Sequence, residues 1–208
     1  MDNWSEWRKH QRADLLTRRK AITKSAHHDW SMAISASLKQ GFPILKEKNI
    51  GVYWPFCSEY DPRPVANHFK QYGARLALPE VVNKQQPLCF REWWQEAPIK
   101  EGVYGIPVPD NTQCMTINAV IIPMVGFDRQ GYRLGYGSGY FDRTLATRNP
   151  RPLTIGIAFE IQRLDSVHPQ PHDIAMHFIV TEAGIYQNIN NILTAISIQE
   201  CAIKSSLK

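Results

Sequence analysis

The sequence predicts an α/β protein with a mainly parallel sheet covered by helices on both faces, and three observations support this. Short apolar strands alternate with helical segments along the 208 residues, which is the order found in parallel α/β sheets. The runs 117–125 and 153–159 are almost continuously apolar, as expected of strands buried on both faces. The sequence contains no repeat, low-complexity tract or clear linker, so a single domain spanning 1–208 is expected.

The individual elements are predicted from local patterns. Helical spacing of apolar residues, and the Asp61-Pro62 pair as a helix start, predict helices at 3–23, about 26–40, 61–72 and 140–148. Runs rich in β-branched and aromatic residues predict further strands at 49–55, 74–79, 88–93 and 178–182. The remaining segments are expected to be loops at 105–110 and 126–139 and a closing helix at about 189–203.

Composition and charge limit the classes of partner. The chain has 24 Lys+Arg, 19 Asp+Glu and 43% hydrophobic residues, which excludes a disordered or collagen-like chain. Residues 1–48 contain 10 basic and 5 acidic side chains and so carry the whole net charge of +5. We expect these basic helices to pack on the α/β core. Their charge suits binding to nucleic acid, a membrane surface or a nucleotide, but charge alone favours a solvated helix face.

Cysteine usage and the N-terminus indicate a cytoplasmic protein. Cys57, Cys89, Cys114 and Cys201 form no C-x-x-C pair, so we expect four buried thiols in a reducing compartment rather than a metal site or disulfides. The sequence has no apolar run of transmembrane length. Its first residues are charged and lack the apolar stretch of a secretory signal. No membrane partner is expected.

The glycine-rich segment 131–142 is the most informative stretch. Gly135, Gly137 and Gly139 alternate, so backbone N–H groups can approach an anionic ligand without hindrance from a Cβ atom. Arg133 adds a guanidinium suited to phosphate, and Asp142 is an oxygen ligand suited to Mg²⁺ beside phosphates. The segment matches neither the Walker A string nor the Rossmann fingerprint. A tight turn that needs positive φ angles is the alternative interpretation.

The string RLGYGSGYFDR (133–143), preceded by IIPMVGFD (121–128), resembles the 5-formyltetrahydrofolate cyclo-ligase family. Further segments occur in the family's order, namely a basic opening helix, YWPFCSEYDPRPV (53–65), GIPVPD (105–110) and HPQPHDIAMHFIVTE (168–182). The resemblance covers most of the chain. It implies a three-layer α/β/α sandwich similar to the sugar-phosphate isomerase and CoA-transferase group.

The resemblance also implies a reaction. In this family ATP phosphorylates the formyl oxygen of 5-formyltetrahydrofolate, N10 of the folate attacks the activated carbon, and phosphate leaves. The products are 5,10-methenyltetrahydrofolate, ADP and phosphate. The implied requirements are ATP and Mg²⁺ with a possibly polyglutamylated folate substrate, and the family pattern favours a monomer with no nucleic-acid partner.

Site residues follow from the same resemblance, position by position. The implied catalytic residues are Arg133 and Tyr140, and the implied Mg²⁺ ligands are Asp142 and Asp173. The implied ATP contacts are Arg8, Lys9, Arg12, Arg133, Leu134, Gly135, Tyr136, Gly137, Ser138, Gly139, Tyr140 and Phe141. The implied folate contacts are Trp54, Glu59, Tyr136, Gly137, Ser138, Gly139 and Tyr140. Ser138 departs from the Gly or Lys that is common in the family, and whether Arg8 or Lys9 meets phosphate stays open.

Alternatives remain for single residues and for the whole chain. Trp54 fits a core position equally well, Glu59 fits a surface acid near a helix start, and Asp173 fits a turn residue. The chain could also be a non-catalytic relative on the same fold that binds nucleotide or RNA through its basic N-terminus. A third possibility is a different enzyme that acts on ATP or a sugar phosphate, since a fold does not define an activity.

Overall fold

The computed structural model of the chain describes residues 3–207. The helices are α1 (Asn3–Lys20), α2 (Lys24–Gly41), α3 (Arg63–Gln71), α4 (Tyr140–Ala146) and α5 (Ile198–Ser205). The strands are β1 (Asn49–Gly51), β2 (Arg75–Glu80), β3 (Cys89–Trp93), β4 (Ile99–Glu101), β5 (Pro107–Pro109), β6 (Ala119–Pro123), β7 (Gly126–Asp128), β8 (Arg133–Leu134), β9 (Leu153–Ile157), β10 (Arg163–Leu164), β11 (Phe178–Thr181), β12 (Gly184–Ile189) and β13 (Ile192–Ile196). Short 3-10 turns lie at Pro43–Glu47, Val103–Gly105 and Glu160–Gln162. No helix in this range is long and apolar enough to cross a lipid bilayer.

Within residues 3–207 the main sheet has eight strands in the order β13-β12-β11-β9-β6-β1-β2-β3. The five central strands, β11, β9, β6, β1 and β2, run parallel, whereas the outer strands β3, β12 and β13 pair antiparallel. The prediction of a mainly parallel α/β sheet is therefore confirmed. The order of the strands reverses between β1 and β6, and in open α/β sheets ligands bind beyond the carboxyl ends of the strands at such a point.

Helices cover both faces of the sheet, and alternate residues along β6 therefore pack into two different hydrophobic cores. Ala119 and Ile121 belong to the core cluster that also contains buried residues of α2, α3 and α5. Val120 and Ile122 belong to the second cluster, which contains Leu145 of α4. A strand that is apolar on both sides thus explains the continuous apolar run seen in the sequence.

Helix α1 packs across the carboxyl edge of the sheet. Its fully buried Leu15 forms a third, smaller cluster with Val125, Leu134 and Val167. These partners follow β6, end β8 and precede the segment that leads into β11. The helix therefore lies over the edge where the sheet topology predicts ligand binding.

Three predicted segments differ from the structure near this edge. The strand expected at 49–55 ends at Gly51, and the chain then leaves the sheet in a loop that reaches α3. The expected loop 105–110 contains β5, which pairs antiparallel with β4. The expected loop 126–139 begins with the β7–β8 hairpin, so only residues 135–139 form the glycine loop itself. Short strands of this kind are determined by their pairing partners, which local propensity does not show.

The closing helix expected at about 189–203 is also wrong. Residues 184–196 form the β12–β13 hairpin, and only Ile198–Ser205 is helical. Asn190 and Asn191 connect the two strands with positive φ angles of 53° and 60°. Two consecutive residues with positive φ are typical of the two-residue turn that matches the twist of a hairpin, and asparagine favours that conformation.

The expectation of four buried thiols is correct for one cysteine. Cys201 is buried in the first core cluster, and Cys57 is a partly buried free thiol. Cys89 and Cys114 instead form a disulfide. An antiparallel bridge between Arg91 and Cys114 brings the chain around residue 114 beside β3, and this proximity leaves no trace in the spacing of the cysteines.

Candidate active site

The loop after β1 and the glycine loop after β8 meet at the reversal point of the sheet. The Tyr136 hydroxyl donates to Glu59 Oε1 at 2.7 Å, and the Phe56 backbone N–H donates to Glu59 Oε2 at 2.9 Å. Glu59 is only 7% exposed. A buried carboxylate thus ties together the two segments that were predicted to contact ligands.

Arg19 of α1 lies next to the same carboxylate. Its Nε donates to the Cys57 carbonyl at 2.9 Å, its Nη1 to the Met124 carbonyl at 3.2 Å, and its Nη2 to the Tyr136 hydroxyl at 2.7 Å. The same Nη2 lies 3.8 Å from Glu59 Oε1. Arg19 is 1% exposed, and the sequence analysis assigned it no role.

Burial sets the protonation tendencies of this group. Burial raises the pKa of the Glu59 carboxyl, while the Tyr136 hydrogen bond, the charge of Arg19 and the Phe56 N–H oppose that rise. Burial and the nearby Glu59 charge likewise raise the pKa of Tyr136, so its hydroxyl remains a hydrogen-bond donor. Arg19 and Tyr136 therefore favour the ionised carboxylate in a place where burial alone would disfavour it.

Two aromatic rings lie at the exposed side of this cluster. The Phe56 and Tyr136 rings have centroids 6.1 Å apart and are 45% and 43% exposed. Glu59 and Arg19 also border a cavity of about 10 Å³, which has room for about one water molecule. The cavity itself is too small for a ring-sized ligand, and Phe56 was not among the residues predicted for the site.

An ion pair between Arg8 and Asp173 forms a second cluster at the same edge. Arg8 also donates from Nε to the Val167 carbonyl at 2.9 Å and from Nη2 to the His168 carbonyl at 3.0 Å. The Gln170 N–H donates to Asp173 Oδ2 at 2.7 Å. Arg8 is 7% exposed, whereas Lys9 is exposed, so of these two residues Arg8 is the one whose side chain belongs to this cluster.

A second ion pair lies next to the first. Arg133 Nη2 is 2.6 Å from Asp142 Oδ2, and Arg133 Nη1 donates to the Ile174 carbonyl at 3.1 Å. Asp142 Oδ1 accepts the Ile174 N–H at 3.0 Å. Because Ile174 directly follows Asp173, the two ion pairs are neighbours. The structure therefore brings together four charged residues predicted for the site.

Arg12 connects α1 to the glycine loop. Its Nε donates to the Gly135 carbonyl at 2.8 Å, and a Cβ atom at Gly137 would lie 3.3 Å from the Arg12 guanidinium carbon. Gly137 and Gly139 have φ angles of 104° and 63°, which side chains disfavour. Burial and the charge of Arg8 lower the pKa of Arg12, so this face of α1 concentrates positive charge.

The two predicted Mg²⁺ ligands differ in how far they are engaged. Both oxygens of Asp142 already accept, from Arg133 and from the Ile174 N–H. Asp173 Oδ1 lies 3.9 Å from His172 Nε2, beyond hydrogen-bond distance. No group of three or more His, Cys, Asp or Glu side chains suited to a metal occurs in the described part of the chain. Mg²⁺ at nucleotide sites commonly uses one or two carboxylates together with phosphate oxygens, and these two aspartates fit that arrangement.

A larger cavity of about 450 Å³ begins at Asp173. Its lining includes Tyr132, Arg151, His177 and Asn188. Ligand pockets commonly have volumes of this order, and the lining of this cavity is mainly polar. The cavity shares Asp173 with the Arg8–Asp173 cluster, and Glu59 is not among its lining residues.

Three predicted contacts have side chains that pack against a hydrophobic core, although the Arg133 guanidinium also lies 5.9 Å from the Phe141 ring. The Trp54 ring packs against the first core cluster, with the Arg63 guanidinium 4.2 Å above it. The Leu134 side chain is buried in the cluster around Leu15, which leaves only its backbone for a ligand. Phe141 packs against the second core cluster. These three aromatic or aliphatic side chains thus contribute to the core that supports the loops.

Tyr140 and Ser138 lie beside a segment that the sequence analysis did not link to the glycine loop. The Tyr104 hydroxyl is within hydrogen-bonding reach of both side chains, and Tyr140 also packs against the second core cluster. Tyr104 belongs to the exposed 3-10 turn between β4 and β5. The proline-containing segment 105–110 is therefore adjacent to the glycine loop in space.

Comparison with known proteins agrees with this architecture. The model of the 5-formyltetrahydrofolate cyclo-ligase family matches residues 4–182. The 5-formyltetrahydrofolate cyclo-ligase of Mycolicibacterium smegmatis is 28% identical over 184 residues, or 84% of this chain and 93% of that protein. The one from Escherichia coli is 23% identical over 180 residues, or 83% of this chain and 99% of that protein.

Solved structures are similar in fold. The structure of Aquifex aeolicus 5,10-methenyltetrahydrofolate synthetase has a TM-score of 0.75 at 25% identity, over 86% of this chain and 92% of that one. A 5,10-methenyltetrahydrofolate synthetase from Mycoplasma pneumoniae has a TM-score of 0.69 at 23% identity, over 88% of this chain and 99% of that one. With a family match that extends over most of its length, the chain belongs to the 5-formyltetrahydrofolate cyclo-ligase family.

Proposed function

We propose that the protein converts 5-formyltetrahydrofolate to 5,10-methenyltetrahydrofolate, with ATP as the second substrate and ADP and phosphate as further products. Membership of the cyclo-ligase family supports this reaction. The observation that carries the proposal is the meeting of the buried Glu59–Tyr136 pair with two arginine–aspartate pairs along one sheet edge. The Glu59 carboxylate, which suits a ring with N–H donors, therefore lies along the same edge as the arginines, which suit phosphates.

The chemistry requires activation of a poor leaving group. The formyl oxygen attacks the γ-phosphorus of ATP and releases ADP, which turns that oxygen into a phosphate ester. N10 of the folate then attacks the formyl carbon and gives up its proton to the departing phosphate or to water, and phosphate leaves with the former formyl oxygen and its bonding electrons. In such transfers the protein mainly positions the reacting atoms and neutralises charge. No protein general base is needed in this scheme.

Glu59 is the residue proposed to hold the pterin ring. Its two oxygens accept from Tyr136 and Phe56, but an ionised carboxylate offers about four lone-pair sites. It can therefore accept additional hydrogen bonds from adjacent N–H groups of a pterin. The partly exposed rings of Phe56 and Tyr136 would provide apolar surface for the same ligand.

The arginine side of the site is proposed to hold the triphosphate. Arg8 and Arg12 lie one helical turn apart on α1 and Arg133 lies beside the glycine loop, so three guanidiniums surround one region. The mutual repulsion of Arg8 and Arg12, which contributes to the lowered pKa of Arg12, would be relieved by an anion. Asp173 and Asp142 would hold Mg²⁺, which neutralises phosphate charge when it is bound.

The cavity that begins at Asp173 is proposed to receive the nucleoside of ATP. Its volume of about 450 Å³ is within the range of small-ligand pockets. Its amide and aromatic side chains offer the mixed hydrogen bonding and ring contact that a base and ribose require. The folate and the nucleotide would then approach the glycine loop from opposite sides.

The RNA-binding alternative loses part of its support from α1, where Lys9, Arg18 and Lys20 stay exposed. Arg8, Arg12 and Arg19 all donate hydrogen bonds to the interior of the molecule. The basic side chains that remain exposed near the N-terminus are fewer than the sequence suggests. A phosphate-binding stripe for nucleic acid would need cations that point outward.

A direct assay tests the proposed reaction. Purified protein is mixed with 5-formyltetrahydrofolate, Mg²⁺ and ATP, and the near-ultraviolet absorbance of the methenyl product is followed. We expect absorbance growth that depends on both ATP and Mg²⁺. Omission of ATP and omission of Mg²⁺ are the two controls. A flat trace from folded protein, together with salt-sensitive RNA binding, would instead favour the RNA-binding alternative.

A further inference from the structure

We infer that Arg19 is a positioning residue for the folate side of the site, acting through Tyr136 and Glu59. The inference rests on the proposed function, because it assigns Arg19 a share in holding the carboxylate that would bind the pterin. Arg19 itself is 1% exposed, so it acts through its neighbours rather than by touching substrate.

The hydrogen bonds run in one direction from Arg19 to the carboxylate. Arg19 Nη2 donates to the Tyr136 hydroxyl at 2.7 Å, and that hydroxyl donates to Glu59 Oε1, also at 2.7 Å. A tyrosine hydroxyl has a single proton, so accepting from Arg19 orients that proton toward Glu59. The Arg19 fork thereby sets which way the Tyr136 hydroxyl points.

The remaining donors of Arg19 fix the backbone on both sides of the carboxylate. Nε donates to the Cys57 carbonyl in the loop after β1, and Nη1 donates to the Met124 carbonyl after β6. Arg19 therefore spans the reversal point of the sheet and fixes the positions of the two loops relative to each other. A lysine could supply the charge at this position but not the planar fork.

The charges that face Glu59 make Arg19 important for its ionisation. Arg19 faces it from α1, Tyr136 from the glycine loop, and Tyr53 and Tyr60 line the same small cavity from its own segment. Asp61 acts on these two tyrosines, and Gln162 is a neutral neighbour in the cavity lining. Arg19 is the cation in this set, and its charge opposes the burial that raises the pKa of Glu59.

The test compares Arg19→Met with Arg18→Met. Arg18 precedes Arg19 on the same helix, but its side chain is 57% exposed and pairs with Asp14 at 2.7 Å. For Arg19→Met we expect KM for 5-formyltetrahydrofolate to rise about tenfold or more, as for loss of a charged hydrogen bond, with KM for ATP near that of wild type. The acid limb of the pH profile of kcat/KM for folate should move to higher pH. Arg18→Met should show neither change.

A structural role alone would give a different pattern. If folded Arg19→Met raises both KM values equally, or leaves the acid limb in place, the inference is overturned. Arg19→Lys keeps the charge without the fork, so it should return the acid limb toward its wild-type position and retain part of the rise in KM. Wild-type enzyme in the same assay distinguishes failure of the proposed function from failure of the Arg19 inference. If the proposed function is wrong, wild-type enzyme does not convert 5-formyltetrahydrofolate at all.

A second set of variants covers the case in which Arg19→Met does not fold. Removal of one partner of a buried ion pair leaves an uncompensated charge, so Arg19→Met/Glu59→Gln removes both charges together. We expect this double variant to have the same folate KM as Glu59→Gln alone, and a further rise would overturn the inference. Tyr136→Phe changes no buried charge. It should raise folate KM and shift the acid limb upward, and a variant that does neither contradicts the inference.

Discussion

The Tyr136 hydroxyl donates a 2.7 Å hydrogen bond to Oε1 of Glu59, and this contact joins residues 77 positions apart in the chain. Glu59 follows β1, and Tyr136 follows the β7–β8 hairpin that continues from β6. Strands β1 and β6 are adjacent and parallel in the sheet. The contact therefore forms at the point where the strand order reverses. A ligand held there would touch both loops at once, so changes on either side have measurable and separable consequences.

Glu59→Gln is expected to raise KM for 5-formyltetrahydrofolate while leaving KM for ATP close to the wild-type value. Glu59 is hydrogen-bonded to Tyr136 and Phe56, whereas the arginine–aspartate pairs lie around Ile174. Loss of a charged acceptor typically costs about 1.5–3 kcal/mol, which corresponds to a rise in KM of roughly 10- to 100-fold. Steady-state kinetics with each substrate varied in turn measures the two constants. Equal losses for both substrates would contradict the role of Glu59.

The pH dependence of stability should differ between wild type and Glu59→Gln. Burial raises the pKa of Glu59 above its ordinary value of 4.5, so the folded protein binds this proton more tightly than the unfolded chain does. The stability that Glu59 contributes is then fully present below the unfolded pKa and is lost as pH rises through the raised folded pKa. Urea denaturation of both proteins at several pH values should show wild type losing stability relative to Glu59→Gln as pH rises above about 4.5. A difference that grows in the opposite direction would rule out the raised pKa.

Phe56→Ala should weaken folate binding with little effect on folding. The Phe56 ring is 45% exposed, and it lies against the Tyr136 ring. Loss of one aromatic contact is worth about 1 kcal/mol, so KM for folate should rise roughly fivefold. Tyr72→Ala is a matched control, because this aromatic residue is 58% exposed and follows α3. A similar rise in folate KM in the control would show that the effect is not specific to the site.

Arg133→Lys should lower kcat strongly while leaving the free energy of unfolding close to that of wild type. Arg133 is 8% exposed and contacts Asp142 and the Ile174 carbonyl. Lysine retains the charge beside Asp142 but cannot reproduce the planar fork. We expect kcat to fall roughly 100-fold, as for loss of a donor at a transferring group. Arg129→Lys is the control, since Arg129 is 72% exposed in a surface pair with Asp165. Wild-type kcat in Arg133→Lys would remove this residue from the transfer step.

Gly137→Ala should impair ATP use more than Gly135→Ala. Gly137 has a φ angle of 104°, and its added Cβ would lie 3.3 Å from the Arg12 guanidinium carbon. A side chain in such a conformation costs about 1–3 kcal/mol. Gly135 has no atom within 4 Å of its added Cβ. Thermal unfolding and KM for ATP measure the two effects. The interpretation fails if the alanine at Gly135 is the more damaging of the two.

The sequence predicts best those features that depend on neighbouring residues. The apolar runs 117–125 and 153–159 become β6 and β9, because a strand buried on both faces needs apolar residues at consecutive positions. The string 133–143 identifies the glycine loop and points to the family. The same reasoning fails for 189–203, where the helix prediction overlooked the asparagine pair of a hairpin turn.

The role of Arg19 was missed for a different reason. In the sequence it is one basic residue of a charged helix, although Arg8, Arg12, Leu15 and Arg19 recur at helical spacing. Its hydrogen-bond partners lie 38, 105 and 117 residues away. A periodic stripe indicates which face of a helix is buried, but it does not reveal whether an arginine on that face meets carbonyls, a carboxylate or solvent.

The sequence by itself determined the α/β class, the order of the buried strands, the glycine loop and the family, because each is written in short stretches of neighbouring residues. Only the tertiary structure decided that the Arg8 side chain is buried whereas Lys9 is exposed, and that Asp173 meets Arg8 from 165 residues away. It also decided that Cys89 and Cys114 are joined. The physical reason is common to these cases. Parallel strands bring their carboxyl ends to one edge of the sheet, whatever their separation in the chain. The partners of a buried charge or thiol are therefore groups that the fold places beside it and that lie far away in the sequence.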